Sequence, residues 1–185
     1  MVESHLNNSL LNTKKEIRKH FLEKRLKITK EEIEQKSSLI CFNAFTNFYL
    51  LGRNVGLYSP IKNEVSPFML LNLGINDVSL PFIQNDTMLF KRWDKQNLLL
   101  NSKFHILEPL ETAEAVTPNV VIVPMLAFDK RRFRVGYGGG FYDKFLENFD
   151  GIKLGFAFDM QKCDKIPEEK FDIPLDYIIT ENNIY

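Results

Sequence analysis

Glycines 136, 138, 139 and 140 lie between two kinds of charge, with Arg132 and Arg134 just before them and Asp143 just after. Glycines let successive backbone N–H groups turn toward one anion, and arginines add charge-assisted hydrogen bonds to it. A carboxylate at the end of such a loop can hold a divalent cation bridging phosphate oxygens, or can simply favour the first turn of a following helix. Tyr137, Phe141 and Tyr142 are interleaved with these groups. The chemistry in view is the handling of a phosphate. Two familiar phosphate loops do not fit. A Walker loop needs Lys and then Ser or Thr after its last glycine, where this chain has Phe141, Tyr142 and Asp143. The dinucleotide pattern G-x-G-x-x-G begun at Gly136 needs a glycine where Phe141 stands.

The elements that must position these residues follow from patterning. Residues 120–123 are a β-branched run ended by Pro124, which fits a buried central strand. Residues 141–149 return to helical spacing, so the order is strand, basic loop, glycine loop, helix, and a helix N-terminus would add its partial positive charge. Upstream, Thr13 with Glu16 and Thr29 with Glu32 are capping boxes. The apolar stripe Ile17, Phe21, Leu22, Leu26 follows the first, and Ile33, Ser37, Ile40, Cys41, Ala44, Phe45, Phe48 follows the second. Together they predict an N-terminal helical hairpin. Lys14 and Arg18 share one face of the first helix, although alone they read as a solvated basic face.

Residues 54–58 read as the first strand, with Glu64 in the loop beyond it. Ser66-Pro67 opens a short helix that Gly74 closes. Further strands are expected at 78–82, 87–93, 103–107, 152–158 and 175–180. This alternation predicts an α/β fold, a three-layer sandwich around a mixed, mostly parallel sheet. It is Rossmann-like without being dinucleotide-binding. Ligands of such sheets gather outside the carboxyl ends of the strands, which is where Glu64 falls. Met88, Phe90, Trp93 and Phe104 could line a pocket for a flat ring, but on patterning they read as core. His105 has no carboxylate or serine partner in view and is given no catalytic role.

Composition bounds the partners. The 185 residues suit one domain, with residues 1–12 read as a flexible N-terminus. Basic and acidic side chains balance at 24 each, so no general attraction to nucleic acid or an acidic membrane follows. Any anion must be caught locally. Cys41 and Cys163 stand apart from other metal-ligating residues, and Cys41 falls on a core stripe; reduced thiols and a cytoplasmic location are expected. The first residues lack a secretory pattern, and no apolar run approaches membrane-spanning length.

The residues from Val123 to Asp129 (VPMLAFD) and from Arg134 to Asp143 (RVGYGGGFYD) resemble the signature of the 5-formyltetrahydrofolate cyclo-ligase family, also called methenyltetrahydrofolate synthetases. The similarity extends to the basic segment from Lys14 to Arg18, to Glu64-Val65, to Met88-Leu89-Phe90 with Trp93, and to Leu107-Glu108-Pro109. It continues through residues 155–158 and Gln161 to the run from Leu175 to Glu181. Met125 replaces a usual glycine, Arg132-Phe133 stands where a glycine is common, Phe141 replaces a frequent tyrosine, and Ser66-Pro67 stands where Asp-Thr or Glu-Thr is common.

The resemblance implies ATP- and Mg²⁺-dependent closure of 5-formyltetrahydrofolate to 5,10-methenyltetrahydrofolate, with release of ADP and phosphate. It implies ATP contacts from Lys14, Arg18, Arg132, Arg134, Gly136, Tyr137, Gly138, Gly139, Gly140, Phe141 and Tyr142. It implies folate contacts from Tyr58, Glu64, Trp93 and Tyr142, a metal at Asp143 and Asp176, and catalysis by Arg134 and Asp143. A monomer acting on small molecules is expected. Two other readings compete: a non-catalytic nucleotide- or RNA-binding relative, and another small-molecule enzyme on a similar scaffold, such as a sugar-phosphate isomerase or an acyl-CoA transferase. Zero net charge argues against RNA, and the second reading leaves the N-terminal basic helix without a task.

Overall fold

Each of the two helices at the start of the chain begins at the threonine that its capping box predicts. The structure is a computed structural model that describes residues 12–96, 98–101 and 106–185. Helix α1 (Lys14–Arg25) is capped by Thr13 with Glu16, and α2 (Lys30–Asn47) by Thr29 with Glu32, both as closed capping boxes. The 3-10 turn Pro67–Leu73 ends at Gly74, whose φ of 88° is one that glycine adopts without strain.

The main sheet carries strands in the order β11 (Tyr177–Ile179), β10 (Ile152–Phe156), β7 (Val120–Pro124), β1 (Val55–Gly56), β2 (Val78–Gln84), β3 (Thr87–Arg92) and β6 (Ala115–Val116). From β11 to β2 every pairing is parallel, and β2–β3 and β3–β6 are antiparallel. The sheet is mixed and mostly parallel, as the alternation of elements implies. Two smaller ribbons complete the strands: β4 (Leu98–Asn101) with β5 (Ile106–Pro109), and β8 (Ala127–Phe128) with β9 (Arg134–Val135).

Side chains on the two faces of the central strands enter different cores, which is why these strands read as unbroken apolar runs. Val120, Ile122, Leu154 and Phe156 pack with Ile40, Cys41 and Ala44 of α2 on one face. Val121 and Val123 pack on the other with Leu146 of α3 (Phe141–Leu146) and with Phe149. The sheet is therefore covered on both sides, giving three layers. Cys41 and Cys163 are buried free thiols, and burial pushes both thiols up to about 12. A thiol held protonated in this way is packing material rather than a nucleophile.

A third, smaller cluster places α1. Ile17 and Phe21 pack against Ala127 and Val135 of the β8–β9 ribbon, with Cys163 and Ile166. This docks the basic face of α1 beside the loop that leaves β9.

Several boundaries differ from expectation. The first strand pairs over Val55–Gly56 alone, because the chain leaves the ladder at Leu57 after one more bond to the Ser79 carbonyl. The helix expected at 141–149 ends at Leu146, and the strand expected at 152–158 ends at Phe156. The strand expected at 103–107 is described from Ile106 onward; Phe104, His105 and nearly all of the N-terminal segment 1–12 lie outside the described residues. Arg134 belongs to strand β9 and not to an open basic loop.

Candidate active site

The carboxyl ends of β1 and β7 open into a cleft of about 520 Å³. Lys14 and Arg18 of α1, residues 134–143, Tyr58, Glu64 and Asp172 line it. Chain crossing at the ends of parallel strands makes such a cleft the expected ligand site of this architecture.

One end is cationic. Arg18 Nε donates to the Gly136 carbonyl at 2.9 Å. Gly138 and Gly140 have φ of +97° and +69°, the left-handed region that lets the loop fold back on itself. A Cβ at Gly138 would lie 3.4 Å from the Arg18 guanidinium carbon, so a larger residue there would press on the arginine. Arg134 is almost wholly buried; its Nη1 donates to the Ile173 carbonyl at 2.8 Å and its Nη2 to Asp143 Oδ1 at 2.7 Å. Burial pulls the Arg134 guanidinium down and Asp143 opposes that pull. Lys14 Nζ lies 2.6 Å from Asp172 Oδ2 and 3.1 Å from Glu169 Oε2.

The other end holds a buried acid. Glu64 is 5% exposed. Its Oε2 accepts the Ile61 N–H at 2.9 Å, while its Oε1 is buried without a hydrogen-bond partner. Burial pushes the Glu64 carboxyl up to about 7, opposed by Arg25, the Ile61 N–H, Tyr137 and Lys62. The Tyr142 hydroxyl is likewise buried and unpartnered, whereas Tyr58 donates to the Val65 carbonyl at 2.6 Å. The cleft also has an apolar wall: Pro81, Ile83, Met88, Ile106, Leu107 and Pro124. Such a cleft can hold an anion at one end and a flat ligand with outward N–H donors at the other.

The structure brings together Lys14, Arg18, Tyr58, Glu64, Arg134, residues 136–142 and Asp143. Three predicted residues stand elsewhere. Trp93 packs on Phe68 at a ring distance of 5.1 Å, and its backbone N–H donates to the carbonyl of Val78, the first residue of β2. That places it at the amino ends of the parallel strands, beside a separate cavity of about 330 Å³. Asp176 precedes β11 and accepts the Lys153 N–H at 2.8 Å, so it too lies at the amino edge of the sheet. Arg132 is exposed and turns its Nε to the Leu175 carbonyl at 3.0 Å.

Arg132 also explains one departure from the family pattern. Its φ is +68°, a conformation glycine takes freely and other residues take at a cost of about 1 kcal/mol. The bonds to Leu175 hold it there. Met125, another departure, is 1% exposed, and its carbonyl accepts from both Arg25 Nη1 and Gln161 Nε2.

Patterning missed Asp172, Glu169, Lys62 and Arg25. Asp172 faces the cleft four residues before Asp176, in a loop where no periodicity tells the two apart. Arg25 had a signal: it continues the helical face of Lys14, Arg18 and Phe21.

The fold and the cleft define a class, an open α/β protein with its ligand site at the strand carboxyl ends. Residues 11–181 match the model of the 5-formyltetrahydrofolate cyclo-ligase family. The chain belongs to that family and is an enzyme of it. It is 32% identical over 136 residues to the 5-formyltetrahydrofolate cyclo-ligase of Haemophilus influenzae, covering 66% of this chain and 73% of that protein. The Mycoplasma pneumoniae enzyme of the same name is 28% identical over 177 residues, with 91% and 98% covered. Among solved structures, the 5,10-methenyltetrahydrofolate synthetase of Aquifex aeolicus superposes with a TM-score of 0.81 at 31% identity, covering 92% of this chain and 91% of that one. The Mycoplasma pneumoniae 5,10-methenyltetrahydrofolate synthetase gives 0.72 at 26%, with 91% and 98% covered.

Proposed function

We propose that the protein uses ATP and Mg²⁺ to close 5-formyltetrahydrofolate to 5,10-methenyltetrahydrofolate, releasing ADP and phosphate. The observation that carries this reading is that one cleft joins a cationic glycine loop to a buried acid with an unpartnered oxygen. A formyl oxygen is a poor leaving group. Transfer of the γ-phosphoryl group to that oxygen, with ADP departing, makes it a good one. The 10-nitrogen then attacks the formyl carbon and loses its proton, and the C–O bond breaks to release phosphate.

The protein's part is alignment and charge. Gly136, Gly138, Gly139 and Gly140 offer backbone donors to the phosphates, and Lys14, Arg18 and Arg134 neutralise them. Glu64 takes N–H groups of the folate ring, with Tyr58 and Tyr142 as walls. Asp143 and Asp172 fit a hard cation: both are carboxylates in the cleft, and each is satisfied here by a cationic side chain, Arg134 or Lys14. With Lys14 and Arg134 drawn to nucleotide phosphate, Asp143 and Asp172 would be the carboxylates to hold Mg²⁺. The ion supplies charge neutralisation on the transferring phosphoryl group.

The test mixes the protein with 5-formyltetrahydrofolate, Mg²⁺ and ATP and follows methenyl product by absorbance. Product that depends on ATP and Mg²⁺ is expected. No product, or the same rate without ATP, would overturn the reading.

A further inference from the structure

Arg25 ends α1 with 1% of its surface exposed, and the mechanism above gives it no task. A fully buried guanidinium is rare without a specific set of partners. Nε donates to the Lys62 carbonyl at 3.0 Å and Nη1 to the Met125 carbonyl at 2.9 Å. Nη2 donates to the Tyr137 hydroxyl and lies 3.7 Å from Glu64 Oε1. The cation is therefore anchored by backbone on the side away from the ligand. Its remaining edge faces the carboxylate and a tyrosine of the glycine loop. The 3.7 Å gap is too long for a hydrogen bond, so Glu64 gains the charge of Arg25 while Oε1 has no partner at hydrogen-bonding distance and angle. The Tyr137 hydroxyl held by Nη2 also helps to keep the carboxyl down.

We propose that Arg25 is a positioning residue for the folate end: its charge keeps the buried Glu64 carboxylate ionised without filling its hydrogen-bonding site, and its Nη2 fixes Tyr137 beside it. The inference rests on the folate reading of Glu64. An ionised Glu64 offers Oε1 purely as an acceptor, the match for an N–H edge of an aminopyrimidine-like ring. A protonated Glu64 would present a donor to a donor.

The other charged or titratable groups around Glu64 cannot do this work. Lys62 comes from the same loop and ranks behind Arg25 in pulling the carboxyl down. Tyr58, Tyr137 and Tyr142 are all raised by burial first and by Glu64 next, so they stay neutral through the physiological range. Arg25 leads the influences that hold Glu64 down against burial.

The experiment is the pH profile of KM for 5-formyltetrahydrofolate, at saturating ATP and Mg²⁺, in wild type, Arg25→Gln and Arg25→Lys. In wild type KM should rise as pH falls through neutrality. Arg25→Gln should move that rise up by at least one pH unit, giving a KM at least about fivefold higher at pH 7 that recovers to within about threefold at pH 9. Arg25→Lys keeps the charge and should hold the wild-type midpoint. A KM raised equally at every pH in Arg25→Gln would make the residue merely structural and overturn the proposal. So would an Arg25→Lys profile shifted by a full unit, which decides the matter even if Arg25→Gln does not fold. Absence of product in wild type would instead sink the folate reading itself, so the two failures are distinguishable.

Discussion

The two ends of the cleft satisfy their charges in opposite ways. At the glycine loop, Lys14 sits between Asp172 and Glu169, and Arg134 sits on Asp143. Every one of those acids has some exposure, from 14% for the Asp172 side chain to 72% for Glu169. Lys14 and Arg134 have side chains only 10% and 5% exposed. These pairs therefore part at little cost only when an incoming phosphate takes over the cation and water the acid. At the other end Glu64 and Arg25 have side chains 4% and 1% exposed, and one carboxylate oxygen has no partner. A buried, unclaimed acceptor is held at a cost to folding that a ligand or a proton relieves. One end is built to exchange partners and the other to wait for one.

That contrast can be attacked where the largest effect is expected. Asp143→Asn keeps an acceptor for Arg134 but removes the carboxylate charge, and turnover should fall by about two to three orders of magnitude. Asparagine is a cleaner probe than alanine, which would strand a buried guanidinium and confuse catalysis with folding. Turnover per folded molecule within tenfold of wild type would show that the acid exchanges nothing that matters.

The buried end is sharpened by stability against pH. The Glu64 carboxyl is raised to about 7 from its ordinary 4.5, so the folded state binds its proton more tightly than the unfolded chain. Stability from this group is thus present below about pH 4.5 and is lost as pH rises through 7. Glu64→Gln removes that slope. Denaturant melts at pH 5 and pH 8 should show the variant gaining up to roughly 3 kcal/mol on wild type between the two. Parallel curves would mean that Glu64 is not held at a cost.

A smaller effect separates two nearby acids. Asp172→Asn should raise the Mg²⁺ concentration for half-maximal rate about tenfold. Asp176→Asn should leave it unchanged, since that side chain serves the Lys153 N–H at the far edge of the sheet. Equal effects would remove the distinction. Least of all, Trp93→Phe should change folate KM by less than about twofold, because the ring packs on Phe68 outside the cleft. A large rise would return Trp93 to the site.

Which parts could be read from sequence follows from what sequence records. Capping boxes at Thr13 and Thr29 are local chemistry, and both form. The run at 120–123 is buried on both faces and reads so. Trp93 patterned as core and lies in core; the family resemblance, not the periodicity, had placed it with the folate. Ribbons such as Ala127–Phe128 with Arg134–Val135 are too short to carry a period, so Arg134 looked like loop. Arg25 was hidden for another reason. A charged residue at the end of an amphipathic helix is nearly always solvated, and the groups that enclose this one, at Lys62, Glu64, Met125 and Tyr137, are all remote in sequence.

Helix α1 supplies Lys14 and Arg18 to one end of the cleft and sets Arg25 behind Glu64 at the other. The separation of the two binding ends is therefore written in turns of a rigid rod, about 1.5 Å per residue, and not in loop length. One residue inserted between Arg18 and Arg25 would swing the guanidinium by about 100° out of the protein, and four would restore its face but overshoot by about 6 Å. This helix cannot change its count by even one.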